Sequence, residues 1–346
     1  MSSCELPQIR VGNPGELIET VPYLMGFHPV ESLTLVGFSG GRGRPQRVTV
    51  TVRVDLPNRP DQLGDLTALT QAFRTSRTES VVAILHTDRF TGDPRARPEL
   101  CELEDRVVCG LRGLALEVSD VLVASADRWW SMWCEQPECC PAEGTSRAGQ
   151  GSAAVAAATY AGLVALPDRQ ALAESIAGSG PVERAALGPL LAEARARRAA
   201  DVDRAEQRAD SAAILEAARC YPAELATITD EDLAWFGVAL SEPRIRDLVW
   251  LAVDARAVDA SALLHLLHTR LPKEYAVHPL FLYGWVQWRA GSGTLALMAA
   301  EQVLAIDPGY SAARLLVEAV RRGLDPVRTP ALSELPRAGR RRAGTS

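Results

Sequence analysis

The residues best suited to chemistry lie in one stretch, DRWWSMWCEQPECCPAEGT, from Asp127 to Thr145. It holds three of the seven tryptophans and three of the seven cysteines, Cys134, Cys139 and Cys140. Three readings compete for it. Thiolates are soft donors, so the sulfurs could hold a metal such as zinc, with the fourth position open or filled by His28 or His86. Against this, C-x4-C-C is not a usual zinc spacing, and adjacent cysteines do not easily both reach one ion. A redox reading pairs Cys134 with Cys139 or Cys140 and leaves the neighbouring thiol to resolve the bond. Arg128 would then lower a thiol pKa. A bracing reading takes the cysteines as small buried hydrophobes wedged by tryptophan rings. Asp127, Arg128, Trp129 and Trp130 lead into the cysteines and are the candidate ligand-binding residues.

A second stretch, PGELIETVPYLMGFHPVESLTLVG, runs from Pro14 to Gly37. Leu17, Ile18, Val21 and Leu24 predict a short helix ended by Gly26, with Pro29 fixing the turn before a strand. His28 lies on that turn and titrates in the range of an acid, base or ligand. Asp55, ending the next strand, is the carboxylate best placed for a site with His28 and Cys134. Asp88 and Asp127 follow the other main strands and would crowd the rim of such a site. No G-x-S-x-G elbow, G-x-G-x-x-G or Walker loop is present. Gly40, Gly41 and Gly43 lie between two strand candidates and read as a hairpin turn. His265, His268 and His278 lack a completing carboxylate and read as ordinary interior or surface histidines.

These residues need elements to position them. Ser32–Ser39 and Val48–Leu56 predict a hairpin, the second strand alternating Val48, Val50, Val52 and Val54 with Thr49, Thr51 and Arg53. A helix is expected over 61–76, then an apolar strand Val81–His86, a loop, a helix over 99–116 and a strand at 118–125. Strand–helix–strand order implies a mixed, partly parallel sheet covered by helices, with ligands at the carboxyl ends of strands.

Composition then changes. The first 150 residues hold nine alanines and the remaining 196 hold 44. Alanine favours helix, so an α/β domain over 1–150 is expected to precede an all-α domain over 151–323. Long helical stretches are expected over 181–218, and Thr229 with Asp232 forms a capping pattern. The segment from Phe281 to Val320 has a tetratricopeptide-like look, read as packing because one unit is too few for a solenoid. The tail 324–346 carries Pro326, Pro330, Pro336 and an arginine cluster at 340–342, and is expected to be disordered.

Charge narrows the classes. There are 37 basic and 43 acidic residues, a net charge of -6. Residues 321–346 carry seven arginines against two acids, so the body is strongly acidic. This argues against nucleic acid as the partner. Only one basic residue, Lys273, is a lysine, which reads as coding bias. No long apolar run predicts a membrane span, and Met1–Arg10 does not read as a signal peptide. Seven cysteines in a large chain do not fit a secreted disulfide scaffold, so a cytoplasmic setting is expected.

Together PGELIETVPYLMGFHPVESLTLVG, the R-V-D at 53–55, RWWSMWCEQPECCPAEGT and WRAGSGTLALMAAEQVLAIDPGYSAARLL resemble an actinobacterial family built on a domain of unknown function, DUF4192. The resemblance covers about residues 6–325. Met25 stands where leucine is usual and Met132 where an aromatic is usual. It implies a bacterial cytoplasmic setting and no particular chemistry. The first expectation for function is a module that binds a small molecule or a protein partner, its cofactor unknown. The alternatives are an enzyme or a thiol- or metal-dependent redox protein using the 128–144 loop with His28 and Asp55, and a purely structural brace.

Overall fold

The structure, a computed structural model, describes residues 9–40, 46–147, 152–178, 180, 185–198, 204–221 and 228–334. Cys4, most of the glycine turn and the arginine cluster at 340–342 lie outside the described residues. Contacts divide the chain into two units, 1–175 with 318–325, and 176–317 with 326–346. The change of composition near 150 and the division of contacts near 175 are thus different boundaries.

In the first unit, α1 (Pro14–Met25) starts where Asn13 accepts the Glu16 N–H at 2.9 Å and Pro14 presets the first turn. It stops at Gly26, whose φ of 84° a side chain would disfavour. The expected hairpin forms from β1 (Ser32–Ser39) and β2 (Arg47–Asp55), with Ser32 opposite Asp55. β3 (Ser80–His86) lies antiparallel to β1 and parallel to β4 (Glu117–Ala124). The crossover between them is α3 (Pro98–Gly113). β5 (Arg128–Ser131) and β6 (Thr145–Ser146) complete the order β2-β1-β3-β4-β5-β6.

One expectation fails here. Instead of a helix over 61–76 there are two short 3-10 turns and α2 (Thr70–Thr75). Asp65 bonds the Thr67 N–H at 2.8 Å, starting a new turn where a continuous helix would need Asp65 inside it.

Both faces of the sheet are covered. Leu33, Leu35, Val81, Ala83, Leu85, Val121 and Val123 form one core with Leu103, Val107 and Leu111 of α3. The opposite face carries Thr34, whose hydroxyl meets the Met25 sulfur of α1 at 4.0 Å. The alanine-rich α4 (Ala153–Tyr160) packs on α1. After it, Leu166 exchanges backbone bonds with Gly26 and His28, both 2.9 Å. This ties the segment to the sheet unit, followed by α5 (Arg169–Ser175).

The second unit is helical. Among the described residues, the expected stretch over 181–218 includes α6 (Gly188–Arg198) and α7 (Arg204–Cys220). Then come α8 (Asp230–Leu240), α9 (Pro243–Asp254), α10 (Ser261–Arg270), α11 (Lys273–Arg289) and α12 (Gly293–Ile306). α13 (Ser311–Arg321) follows, residues 311–317 of it belonging to this unit. Thr229 and Asp232 form the expected capping box. Trp250 sits edge-on to Phe281 and Trp285, centroids 4.9 and 5.0 Å apart.

Below these rings lies a buried ion pair, Arg289 with Asp254 at 2.6 Å. Trp285 donates its indole N–H to the same carboxylate at 2.9 Å. Arg289 also donates to the carbonyls of Pro326, Thr329 and Pro330 at 2.7–3.0 Å. Asp254 accepts the Leu332 N–H at 2.5 Å. Residues 326–332, expected to be part of a disordered tail, are therefore held by hydrogen bonds their prolines cannot supply locally. Residues 335–346 lie outside the described residues.

Two outcomes follow from burial. Arg289→Ala leaves the Asp254 carboxylate buried without its cation. It is expected to cost about 3–5 kcal/mol in urea unfolding and to expose 326–332 to limited proteolysis. Burial, helped by Arg246, lowers the His278 imidazole from 6.5 to about 4. A neutral folded imidazole gives its full stability above 6.5 and loses it as pH falls from 6.5 toward 4. Urea midpoints are expected to drop between pH 7 and pH 5, and His278→Gln is expected to flatten that slope.

Candidate functional site

The parallel pairing of β3 and β4 sends the chain off the same end of the two strands at 87–97 and at 125–127, after which β5 runs back along β4 and leads into the cysteine loop. Three features are built on these segments.

The first is the cysteine loop. After β5, Ser131 turns the chain by accepting the Cys134 N–H at 3.1 Å, while its own hydroxyl donates to Asp120 at 2.8 Å. Pro137 and Pro141 bracket a tight turn in which the amides of Cys139 and Cys140 both donate to the Gln136 carbonyl, at 3.1 and 2.7 Å. The sulfurs of Cys134, Cys139 and Cys140 lie within 4.8 Å of one another, and those of Cys139 and Cys140 are 3.9 Å apart. In sequence, adjacent cysteines count against one shared ion; this turn swings both thiols toward Cys134. Cys140 is buried, Cys134 half-buried and Cys139 exposed. Burial pushes the Cys140 thiol up to about 12. The Gln136 backbone N–H, aided by the neighbouring thiols, lowers that of Cys134.

One guanidinium closes the loop. Arg95 donates to the carbonyls of Cys134 at 2.6 Å and Cys140 at 3.3 Å. Asp93 holds Arg95 from behind at 2.8 Å and keeps its pKa raised. Arg95 is 39 residues from Cys134 in sequence, and spacing could not reveal it. The only signal was Asp93-Pro94-Arg95 in the loop following a buried strand.

The expected ligand-binding residues brace this loop. Trp129 and Trp130 are buried. Trp130 donates its indole N–H to the Ala142 carbonyl at 3.1 Å and packs edge-on against Phe90 at 5.3 Å. Arg128 donates to the Gly144 carbonyl at 2.8 Å, so its charge is directed at a carbonyl rather than at a thiol. Asp127 is exposed, its carbonyl accepting the Arg147 N–H at 2.7 Å.

The second feature lies on the α1 face. His86 ends β3 with 5% exposure, and its buried Nε2 has no hydrogen-bond partner among the described residues. Burial, with the charges of Arg147, Arg53 and His28, lowers it to about 3. His28 is exposed, and partial desolvation with Arg147 lowers its pKa too. Arg147 donates to the Ser125 carbonyl, and burial lowers its own pKa. Asp55 is 86% exposed and pairs with Arg53 at 2.5 Å, while Arg53 donates to the Ser32 hydroxyl at 2.8 Å. Among the described residues, no hydrogen bond or ion pair joins His28 or Asp55 to Cys134. Asp88 accepts the Ala126 N–H at 2.9 Å and ties the two connections together. His265 and His268 meet edge-on, and both rings lie tilted against Tyr283 in the helical unit.

The third feature is a groove of about 340 Å³ beside the end of β3. Leu56, Phe90, Leu100 and Leu103 give it an apolar wall, and Asp88, Arg89, Arg97 and Glu99 line it with charge. Arg89 is anchored by Glu31 at 2.7 Å and by the Pro57 carbonyl at 2.9 Å. No motif of the sequence marked this groove, because its walls come from three separate segments.

Fold and site define a protein with a mixed α/β sheet unit, a three-thiol loop between its last two strands and an all-helical unit after it. A family model, the domain of unknown function DUF4192, matches residues 14–327, and the chain belongs to that family. No curated protein and no solved structure matches the chain. No helix among the described residues is long and apolar enough to cross a membrane.

Gly144 tests the bracing of the loop. Its φ is 81°, and a Cβ would sit 2.4 Å from Cε2 of Trp130. Gly144→Ala is expected to destabilise the protein by roughly 2 kcal/mol or more, seen as a lower urea midpoint with altered tryptophan fluorescence.

Proposed function

We propose that the sheet unit binds a small organic ligand in the groove beside β3. The carrying observation is the groove itself, at the carboxyl end of a strand in a parallel pair, where sheets of this kind bind ligands. Its volume is in the range of small-molecule sites. An apolar wall with fixed charges at the rim suits a molecule with an apolar body and a polar end. Arg89, held by Glu31, would orient that end.

The same reading keeps a cytoplasmic setting, where thiols stay reduced, and zinc as the ion suited to the three sulfurs. Packing of α10 on α11 and of α11 on α12 supports the tetratricopeptide-like reading of the end. A partner of the helical unit has no comparable single observation behind it.

The test fills the groove without touching the core. Asn58 lines it and is exposed, so Asn58→Trp is expected to fold normally and block it. A fragment panel screened by thermal shift is expected to give binders to the unaltered protein that the variant loses. Fragments that bind both equally, or none that bind the unaltered protein, would sink this reading.

A further inference from the structure

We infer that Cys134, Cys139 and Cys140 form a three-thiolate centre for one zinc-class divalent ion, with its fourth position open to a donor from outside the chain. The inference is independent of the groove and deepens the choice of zinc for these sulfurs.

Geometry comes first. A tetrahedral ion with bonds of about 2.3 Å to sulfur sets its sulfurs about 3.8 Å apart. Cys139 and Cys140 stand at 3.9 Å, and the full trio falls within 4.8 Å. Only small side-chain rotations separate these thiols from a shared centre. They are also not arranged as a disulfide, since all three are free.

The second observation is the support. Cys139 is exposed and its thiol could point into water, yet its sulfur faces the other two. The backbone is fixed on both sides of the cluster. Ser131 holds the Cys134 N–H, Gln136 holds the amides of Cys139 and Cys140, and Arg95 holds the carbonyls of Cys134 and Cys140. Ligand loops need this outer layer because a metal tolerates little positional error. Bracing by packing alone has no need to fix three sulfurs and two carbonyls around one point.

Charge is consistent with this. Binding replaces three S–H protons, released to solvent, with one divalent ion, leaving the centre at one net negative charge. Arg95 lies close enough for thiolate charge on Cys134 and Cys140 to favour its cation. No fourth His, Cys, Asp or Glu joins the group among the described residues. Closed structural zinc sites use four protein ligands, whereas three with an open position mark sites that exchange a ligand. The fourth donor is thus water or a soft small molecule such as a thiol. Arg95 is a positioning residue in this scheme.

The full-length protein, purified reduced and without oxygen, would be titrated with zinc and with cobalt(II) and followed by native mass spectrometry and absorption. One ion per chain is expected, with thiolate-to-cobalt charge-transfer bands. Cys134→Ser and Cys139→Ser should each weaken binding by roughly 100-fold or more, and Arg95→Gln by about 10- to 100-fold. Cys109→Ser, an exposed thiol on α3, should change nothing. Added 2-mercaptoethanol should shift the cobalt d–d bands, the signature of an exchangeable fourth position. Circular dichroism confirms folding of each variant, and the exposed Cys139 keeps the test valid if a more buried site unfolds. Substoichiometric metal, equal loss in Cys109→Ser, or a two-dalton mass deficit showing a disulfide in the anaerobic protein would each overturn the centre. Cobalt bands that ignore added thiol would overturn the open position. None of these results bears on fragment binding in the groove.

Discussion

The parallel pairing of β3 with β4 is the constraint on which the first unit depends. Ser80–His86 and Glu117–Ala124 run side by side with their apolar residues covered by helices on both faces. Antiparallel strands would send their following connections to opposite ends. Parallel ones send 87–97 and the turn 125–127 off the same end. Contacts that link the features of the candidate site follow from that meeting. Arg95 reaches the cysteine carbonyls, Asp88 reaches the Ala126 amide, Phe90 meets Trp130, and Arg147 comes to His86 and His28.

Much of this frame was legible because it rests on short-range patterns. The alternation of Val48, Val50, Val52 and Val54 marked a strand with one packed face, and Val50, Val52 and Val54 do pack against the core. Thr229 and Asp232 announced a helix start by hydrogen bonds that span three residues. Gly26 marked a helix end for a reason that is local to its own φ. The helix over 61–76 misled because its apolar spacing was right, while Asp65 offered the backbone a competing turn that periodicity does not weigh.

The site was legible in composition and not in geometry. Three cysteines among tryptophans stood out, yet spacing alone argued against their meeting. Pro137 and Pro141 change that by forcing a turn whose carbonyl at Gln136 takes two amides, a three-dimensional consequence that no donor-spacing rule contains. His28, Asp55 and Cys134 were grouped because each lies at or near an expected strand end. The sheet order separates them. Asp55 is on the edge strand β2 and Cys134 follows β5, with β1, β3 and β4 between. The tryptophans looked like a binding surface, but a strand buries alternate residues to each side. Trp129 and Trp130 are therefore spent on opposite faces of one sheet.

Arginine shows how a compositional accident acquires a structural use. Its dominance over lysine reads as coding bias, and nothing in that reading assigns it work. Yet the irregular segments are repeatedly fastened by a guanidinium on backbone carbonyls. Arg95 takes those of Cys134 and Cys140, and Arg289 takes those of Pro326, Thr329 and Pro330. Each of these two is neutralised by one aspartate, Asp93 or Asp254. Arg128 and Arg89 make single clamps of the same kind. The segments they hold are rich in proline, which removes donors and prevents the chain from satisfying its carbonyls in a helix or sheet. A guanidinium carries five donors in a fixed fork and can bridge two carbonyls while keeping a carboxylate. An ammonium has three donors and no plane to hold them in register. A chain with this proline content and almost no lysine can thus build ordered loops at the sheet edge. The same arrangement that orders the cysteine loop is what brings its three sulfurs to one point.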